Sequence, residues 1–248
     1  MLNKIKYKKL VVANCVEIEI DRILIFVDTI SEVEAFRELN FYHFEFTYRS
    51  LDQGTISNIF FLGNIALELI RIENLALATR YSARTNMDII ARTRWRKNQA
   101  LPLGLVLRYV ASQPPKSRRR CGNTDEPKIN RLQARSEINF SSKNLQELNE
   151  PVCYIVSQSL TCESLLDNTS AIKQRLLALQ SKTSKLTSIQ ITLNTNKPLT
   201  KTASLISTLN LIEIKQGNCS KLKLEFDQGC QQQLFLARFS TIPMIISY

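Results

Sequence analysis

Glu68 is the one carboxylate in the apolar run from Asn58 to Ile72, "NIFFLGNIALELIRI". A carboxylate in such company either sits on the wet face of an alternating strand or points into a pocket where it has a role. Alternation through "IALELIRIE" places Ala66, Glu68, Ile70 and Ile72 on one face and Ile65, Leu67, Leu69 and Arg71 on the other. Glu68 therefore shares its face with apolar neighbours, which predicts a cleft rather than solvent. Other chemistry-bearing residues carry weaker signals. His43 is the only histidine, and no residue near it in sequence is placed to partner it as a general base. The six cysteines are widely spaced with no C-x-x-C pair, so neither a zinc ribbon nor a thioredoxin-type site is encoded, and packing thiols are expected. The chain contains no G-x-S-x-G, Walker loop, G-x-G-x-x-G or H-E-x-x-H.

The elements that would position Glu68 follow from hydrophobic periodicity. "EIEIDRILIFVD" (17–28) reads as a strand. In "SEVEAFREL", Ser31 and Glu34 form an S-x-x-E capping pattern, with Val33, Phe36 and Leu39 on one helical face. "FYHFEFTY" (41–48) alternates as a half-buried strand, "LDQGT" is a turn, and two further strands meet near Gly63-Asn64. Residues 74–100 read as helical or irregular and Arg-rich, and 101–110 as a strand. The second half shows a related rhythm. A strand at 151–158 and a helix carrying Ile172, Leu176 and Leu179 are followed by a strand at 186–194 and a helix within 199–210. Strands at 212–216 and 221–226 come next, with one or two more at the end.

The expected layout is a basic tail (1–17), a first module (18–110), a basic linker (111–150) and a second module (151–248), each half a copy of one small α+β unit. A chain of 248 residues accommodates two modules of about 100 each. Asn64 and Glu68 break the best apolar run before it reaches the ~18 residues of a membrane span, and the Lys-rich start lacks a secretory pattern, so no membrane association and a cytoplasmic location are expected. The net charge of +11 concentrates in the start (Lys4, Lys6, Lys8, Lys9) and the linker (Lys116, Arg118, Arg119, Arg120, Lys128, Arg131, Arg135). Neither interleaves with aromatics as a single-strand binding face does, so a solvated basic loop is expected and nucleic acid is not the expected partner.

Taken in order, "IDRILIFVD", "DQGT", "NIFFLGNIALELIRIE", "TRWRKNQALPLGLVLR" and "KLKLEFDQGCQQ" resemble the vicinal oxygen chelate superfamily. Within it they are similar to glyoxalase-like proteins, whose first module carries Q-G-T ahead of two strands. The resemblance covers much of 18–110 and 186–248. It implies two paired βαβββ modules whose sheets curl around a cleft, and strand exchange between modules implies a possible homodimer. In metal-using members His and Glu on matched strands hold a divalent ion, which chelates two neighbouring substrate oxygens and stabilises an enolate-like intermediate.

This chain departs from that pattern. Arg22 stands where the first-strand imidazole belongs, and a guanidinium has no lone pair for a metal. Glu68 matches the fourth-strand carboxylate; the second module offers Ser188 and Gln190, poor ligands, and Glu225. Arg22 is expected to pair with Glu68 in the metal's place. Gln53, Gly54 and Thr55 keep the Q-G-T turn at the cleft mouth, and Arg108 matches an arginine at a strand end that could hold a carboxylate. The expectation is a protein that binds a small oxygen-rich or anionic metabolite through Arg22, Gln53, Gly54, Thr55, Arg108 and Glu225. Glu68 is its candidate catalytic group, and no cofactor is expected. The alternative is a metal-dependent lyase, isomerase or dioxygenase using Glu68, Glu225 and water.

Overall fold

A computed structural model describes residues 16–39, 42, 44–62, 65–111, 142–156, 160–165, 185–208, 212–230, 234–238 and 243–247. Four expectations lie outside them: the Lys-rich start, the basic cluster within 112–141, the Gly63-Asn64 turn and the helix across 167–182. His43, Cys15 and Cys121 lie outside them as well. No helix among the described residues is long and apolar enough to cross a membrane.

β1 (Val16–Phe26) leads through α1 (Ile30–Glu38) to a meander of β2 (Phe44–Ser50), β3 (Thr55–Leu62) and β4 (Ile65–Ile72). β4 returns parallel to β1, and β5 (Leu103–Ala111) flanks β1 antiparallel on its other side. The α1 cap lies two residues earlier than Ser31 and Glu34 suggest. Thr29 is the N-cap, and the Glu32 carboxylate accepts from the backbone N–H groups of Asp28 (2.8 Å) and Thr29 (3.3 Å). Arg96 fixes that carboxylate from the far side (3.1 Å). Between β4 and β5 run α2 (Leu75–Thr85), α3 (Ile89–Thr93) and α4 (Trp95–Asn98). Asn74 and Asp88 cap the first two by accepting from Leu77 and Ala91.

α5 (Ser142–Gln146) and β6 (Val152–Val156) correct the expected boundary at residue 151. β6 pairs in parallel with β5, completing a six-stranded sheet of order β2-β3-β4-β1-β5-β6. Buried polar groups support this placement. Asn144 Oδ1 accepts from Cys153 N (2.8 Å), and fully buried Arg92 donates to the carbonyls of Leu101 (2.7 Å), Glu147 (2.8 Å) and Glu150 (3.0 Å). The last residues of the expected linker are thus part of the first sheet's packing.

After the short α6 (Cys162–Leu165), the second sheet is built from β7 (Leu186–Leu193), β8 (Ile212–Gln216), β9 (Lys221–Phe226), β10 (Leu234–Arg238) and β11 (Pro243–Ser247), with α7 (Lys201–Ile206) between β7 and β8. Its order is β10-β11-β9-β7-β8. The strand–helix–strand start is common to both halves, but the pairing differs. α1 carries the chain to the far edge of its sheet, whereas α7 delivers β8 directly beside β7 in parallel. The halves therefore match in chain order and not in sheet order.

One continuous hydrophobic cluster takes side chains from both sheets: Ile23, Ile25, Leu67 and Leu69 from the first, Ile189, Ile191, Leu224 and Phe226 from the second, with Val33 and Phe36 of α1 and Ala203 and Ile206 of α7. Each fully buried Val, Leu, Ile or Phe side chain among these contributes about 1.5–3 kcal/mol. Glu150 adds a polar tie between the halves: its two oxygens accept from Thr200 N and Thr200 Oγ1, both at 2.6 Å, at the start of α7. The other face of the first sheet carries Leu24, Phe26, Ile70 and Val106, and α2, α3 and the turn between them cover it with Ala78, Tyr81, Met87 and Ile89.

Candidate functional site

The alternation of β1 slips phase in its middle. Ile18 and Ile20 pack toward the shared core, and so do Ile23 and Ile25, three residues further on from Ile20. The register with β5 shifts between Ile20 and Arg22, so Asp21 is the extra residue of a β-bulge. The bulge brings the Asp21 and Arg22 side chains together, away from the core, on the face that α2 covers. Glu68 stands on that same face of β4, flanked by Ala66 and Ile70.

Arg22 Nε donates to Glu68 Oε2 at 2.5 Å, and its Nη1 donates to Asp21 Oδ2 at 2.5 Å. The three residues are buried, at 6–7% exposure. Burial opposes the guanidinium's charge, yet the neighbouring anionic groups, Glu68 foremost, outweigh it and hold the Arg22 pKa well above its ordinary value. Arg22 is a permanent cation at any pH in which the protein is folded. Tyr154 of β6 lies against the cluster, and burial drives its phenol well above the usual range. Arg108 extends the charge chain outward, with Nη2 3.4 Å from Glu19 and Nη1 4.0 Å from Asp21.

The cover of this cluster comes from beyond β6. Arg22 Nη1 also donates to the Leu160 carbonyl (3.1 Å), and Cys162 N donates to both Asp21 oxygens (3.1 and 3.3 Å). The Cys162 thiol packs with Ile59, Phe61 and Ala66, with Phe44 and Phe46 alongside. Burial raises its pKa well above the ordinary thiol value, so it remains protonated and is no nucleophile at rest.

The Q-G-T residues serve the fold. Gly54 adopts φ +65°, and a Cβ there would meet Asn74 O at 2.4 Å and Leu77 Cβ at 2.7 Å. Its carbonyl accepts from both Glu73 N and Asn74 N (2.9 Å each), anchoring the start of α2. Thr55 Oγ1 donates to Gln53 Oε1, and Gln53 Nε2 donates to the Tyr81 hydroxyl, each at 3.3 Å. The turn thus reaches the covered face through Tyr81. Glu225 does not join the site. Its neighbours Leu224 and Phe226 enter the shared core, which turns Glu225 to the outer face of the second sheet, where it pairs with Lys223 (3.1 Å). Glu68 turns away from the same core on the other sheet, so the two carboxylates do not converge on one ion.

Among the described residues, no group of three or more His, Cys, Asp and Glu is placed to hold a metal. The geometry itself argues against a dication at Glu68, because Arg22 already supplies a positive charge 2.5 Å from its carboxylate. Asp21, Tyr154 and the Leu160–Cys162 segment escape a reading of the sequence. Only the phase slip between Ile20 and Ile23 signals Asp21, and the others reach the site through pairings far apart in the chain.

No family model matches the chain. No curated protein matches it. Among solved structures it is similar to the crystal structure of a hypothetical protein from Staphylococcus aureus, at 10% identity over 93% of this chain and 99% of that one, with a TM-score of 0.51. At such identity the likeness concerns the fold: an α+β protein with mixed sheets.

Proposed function

We propose that this is a glyoxalase-like protein of the vicinal oxygen chelate type in which Arg22 takes the place of the metal, and that it binds a small oxygen-rich metabolite on the α2-covered face of the first sheet. The supporting observation is the buried Asp21–Arg22–Glu68 cluster. A buried ionic group of this kind is commonly no more stabilising than an apolar replacement, which supports a role for it beyond folding. Polar hydrogens and oxygens converge there from Arg22, Asp21, Glu68 and Tyr154, and Gln53 orients Tyr81 beside them. Two carboxylates already meet the guanidinium, so the site offers no surplus positive charge to an anion. That favours a neutral, hydroxyl- or carbonyl-bearing ligand over an anionic one.

Native mass spectrometry of the protein purified without chelators, with elemental analysis on the same sample, tests this reading. A small organic molecule retained by the wild type and lost from Glu68→Gln is the expected result. Near-stoichiometric metal that disappears in Glu68→Gln would overturn it and restore metal-dependent lyase, isomerase or dioxygenase chemistry.

A further inference from the structure

The Asp21–Arg22 pair is occupied by a piece of this chain's own backbone. Arg22 Nη1 donates to the carbonyl of Leu160, and Asp21 accepts from the N–H of Cys162. These two backbone groups flank one residue, Thr161. What the pair grips is a carbonyl oxygen and an amide hydrogen held at the spacing of a single amino-acid unit. The segment is exposed at one end only: Leu160 is 40% exposed, while Thr161 and Cys162 are each 4% exposed, and Cys162 rests on the aromatic and apolar side chains beneath.

We infer that the Leu160–Cys162 backbone stands in the ligand's own position, and that the site accepts a small neutral molecule with the carbonyl and amide pattern of an N-acylated amino-acid amide. The inference rests on the small-molecule reading above and narrows its ligand class. Recognition is reciprocal in polarity. Arg22 needs an acceptor and the Asp21 carboxylate needs a donor, so a molecule carrying only acceptors leaves Asp21 facing an anionic or unprotonated group. An incoming ligand competes with the segment, and its apparent affinity is reduced by the fraction of molecules in which the segment is seated. Loosening the segment therefore tightens binding, the opposite of what removal of a binding contact does.

Cys162 offers a clean means of loosening it. It is the first residue of α6, a position where proline is tolerated and where its missing N–H is the one held by Asp21. N-acetylglycinamide is titrated by calorimetry into wild type, Cys162→Pro and Cys162→Ala, the last keeping the N–H. The expected result is binding about tenfold tighter to Cys162→Pro than to the other two, with N-acetylglycine, which carries a carboxylate where the amide donor should be, at least tenfold weaker throughout. In the wild type, N-acetylglycinamide should raise iodoacetamide labelling at Cys162 several-fold, read at that residue by mass spectrometry. This second readout decides the matter if Cys162→Pro fails to fold. Equal affinities without a change in labelling, equal binding of N-acetylglycine, or no binding of N-acetylglycinamide would each overturn the inference. A retained organic molecule lost from Glu68→Gln would still uphold the broader reading in those cases, and its absence would remove both.

Discussion

Arg22 serves two carboxylates at once, and this asymmetry decides what each substitution costs. Removing Arg22 strands Asp21 and Glu68 together in a buried setting, and Arg22→Met is expected to lose about 3–5 kcal/mol of stability. Glu68→Gln leaves the guanidinium with Asp21 and with the Leu160 carbonyl, so its loss should be clearly smaller. Urea unfolding checks the order; a larger loss in Glu68→Gln would show that Asp21 does not neutralise Arg22. Gly54 gives a second local prediction. Gly54→Ala forces an alanine to φ +65° and drives its Cβ into Asn74 O, so more than the roughly 1–2 kcal/mol of a left-handed non-glycine should be lost. Retained stability there would mean that the α2 start is not anchored by this turn.

Arg92 ties the turn before β6 to the segment just before β5, beside the Asn144 contact to Cys153. Arg92 is fully buried and donates to three carbonyls, at Leu101, Glu147 and Glu150, in place of a carboxylate partner. Burial pushes its pKa down to about 10, yet it stays charged through the neutral range. Arg92→Met leaves those carbonyls without their donors, at about 1–3 kcal/mol for each buried group left unsatisfied. The loss should be local first. Hydrogen exchange at Cys153 and Ile155 is expected to speed up well before exchange at Ile23 or Leu67, because among the described residues β6 lies at the sheet's edge and pairs only with β5. Uniform acceleration across β1 and β4 would place Arg92 in the common core rather than at this edge.

The two sheets share one hydrophobic cluster and the Glu150–Thr200 tie, so they should unfold together. Fluorescence of the single tryptophan, Trp95, reports on the first half, and far-ultraviolet circular dichroism on both; coincident urea midpoints are expected, and separated ones would make the halves independent. Stability should also fall in alkali. Burial raises the Cys153 and Cys162 thiols well above their ordinary value of 9.0, and Tyr154 above 10.0. These groups stay protonated in the native state while the unfolded chain loses its protons, so the unfolded state binds fewer protons and stability declines as pH rises. Their contribution is complete below about pH 8 and declines from about pH 9 upward. Cys153→Ala should flatten that decline, whatever it costs at neutral pH.

Much of the architecture was already written in local pattern. Alternation placed most of the described strands, and the apolar company of Glu68 predicted a covered face, because burial periodicity depends only on neighbours along the chain. The apposition of Arg22 and Glu68 followed from that pattern together with the family resemblance. The pairing of strands did not follow. The placement of β6 goes with contacts of Arg92 and Asn144, and the start of α7 with the contact of Glu150 to Thr200, and sequence order does not announce these partners. The same holds for the site. The sequence by itself put Glu68 on a covered face; only the tertiary structure turned Glu225 away, added Asp21 through a bulge and laid the Leu160–Cys162 backbone across the Asp21–Arg22 pair. Side-chain direction within a strand is a local property of the backbone, whereas the partner that satisfies a buried charge is chosen by whichever distant segment packing delivers to it.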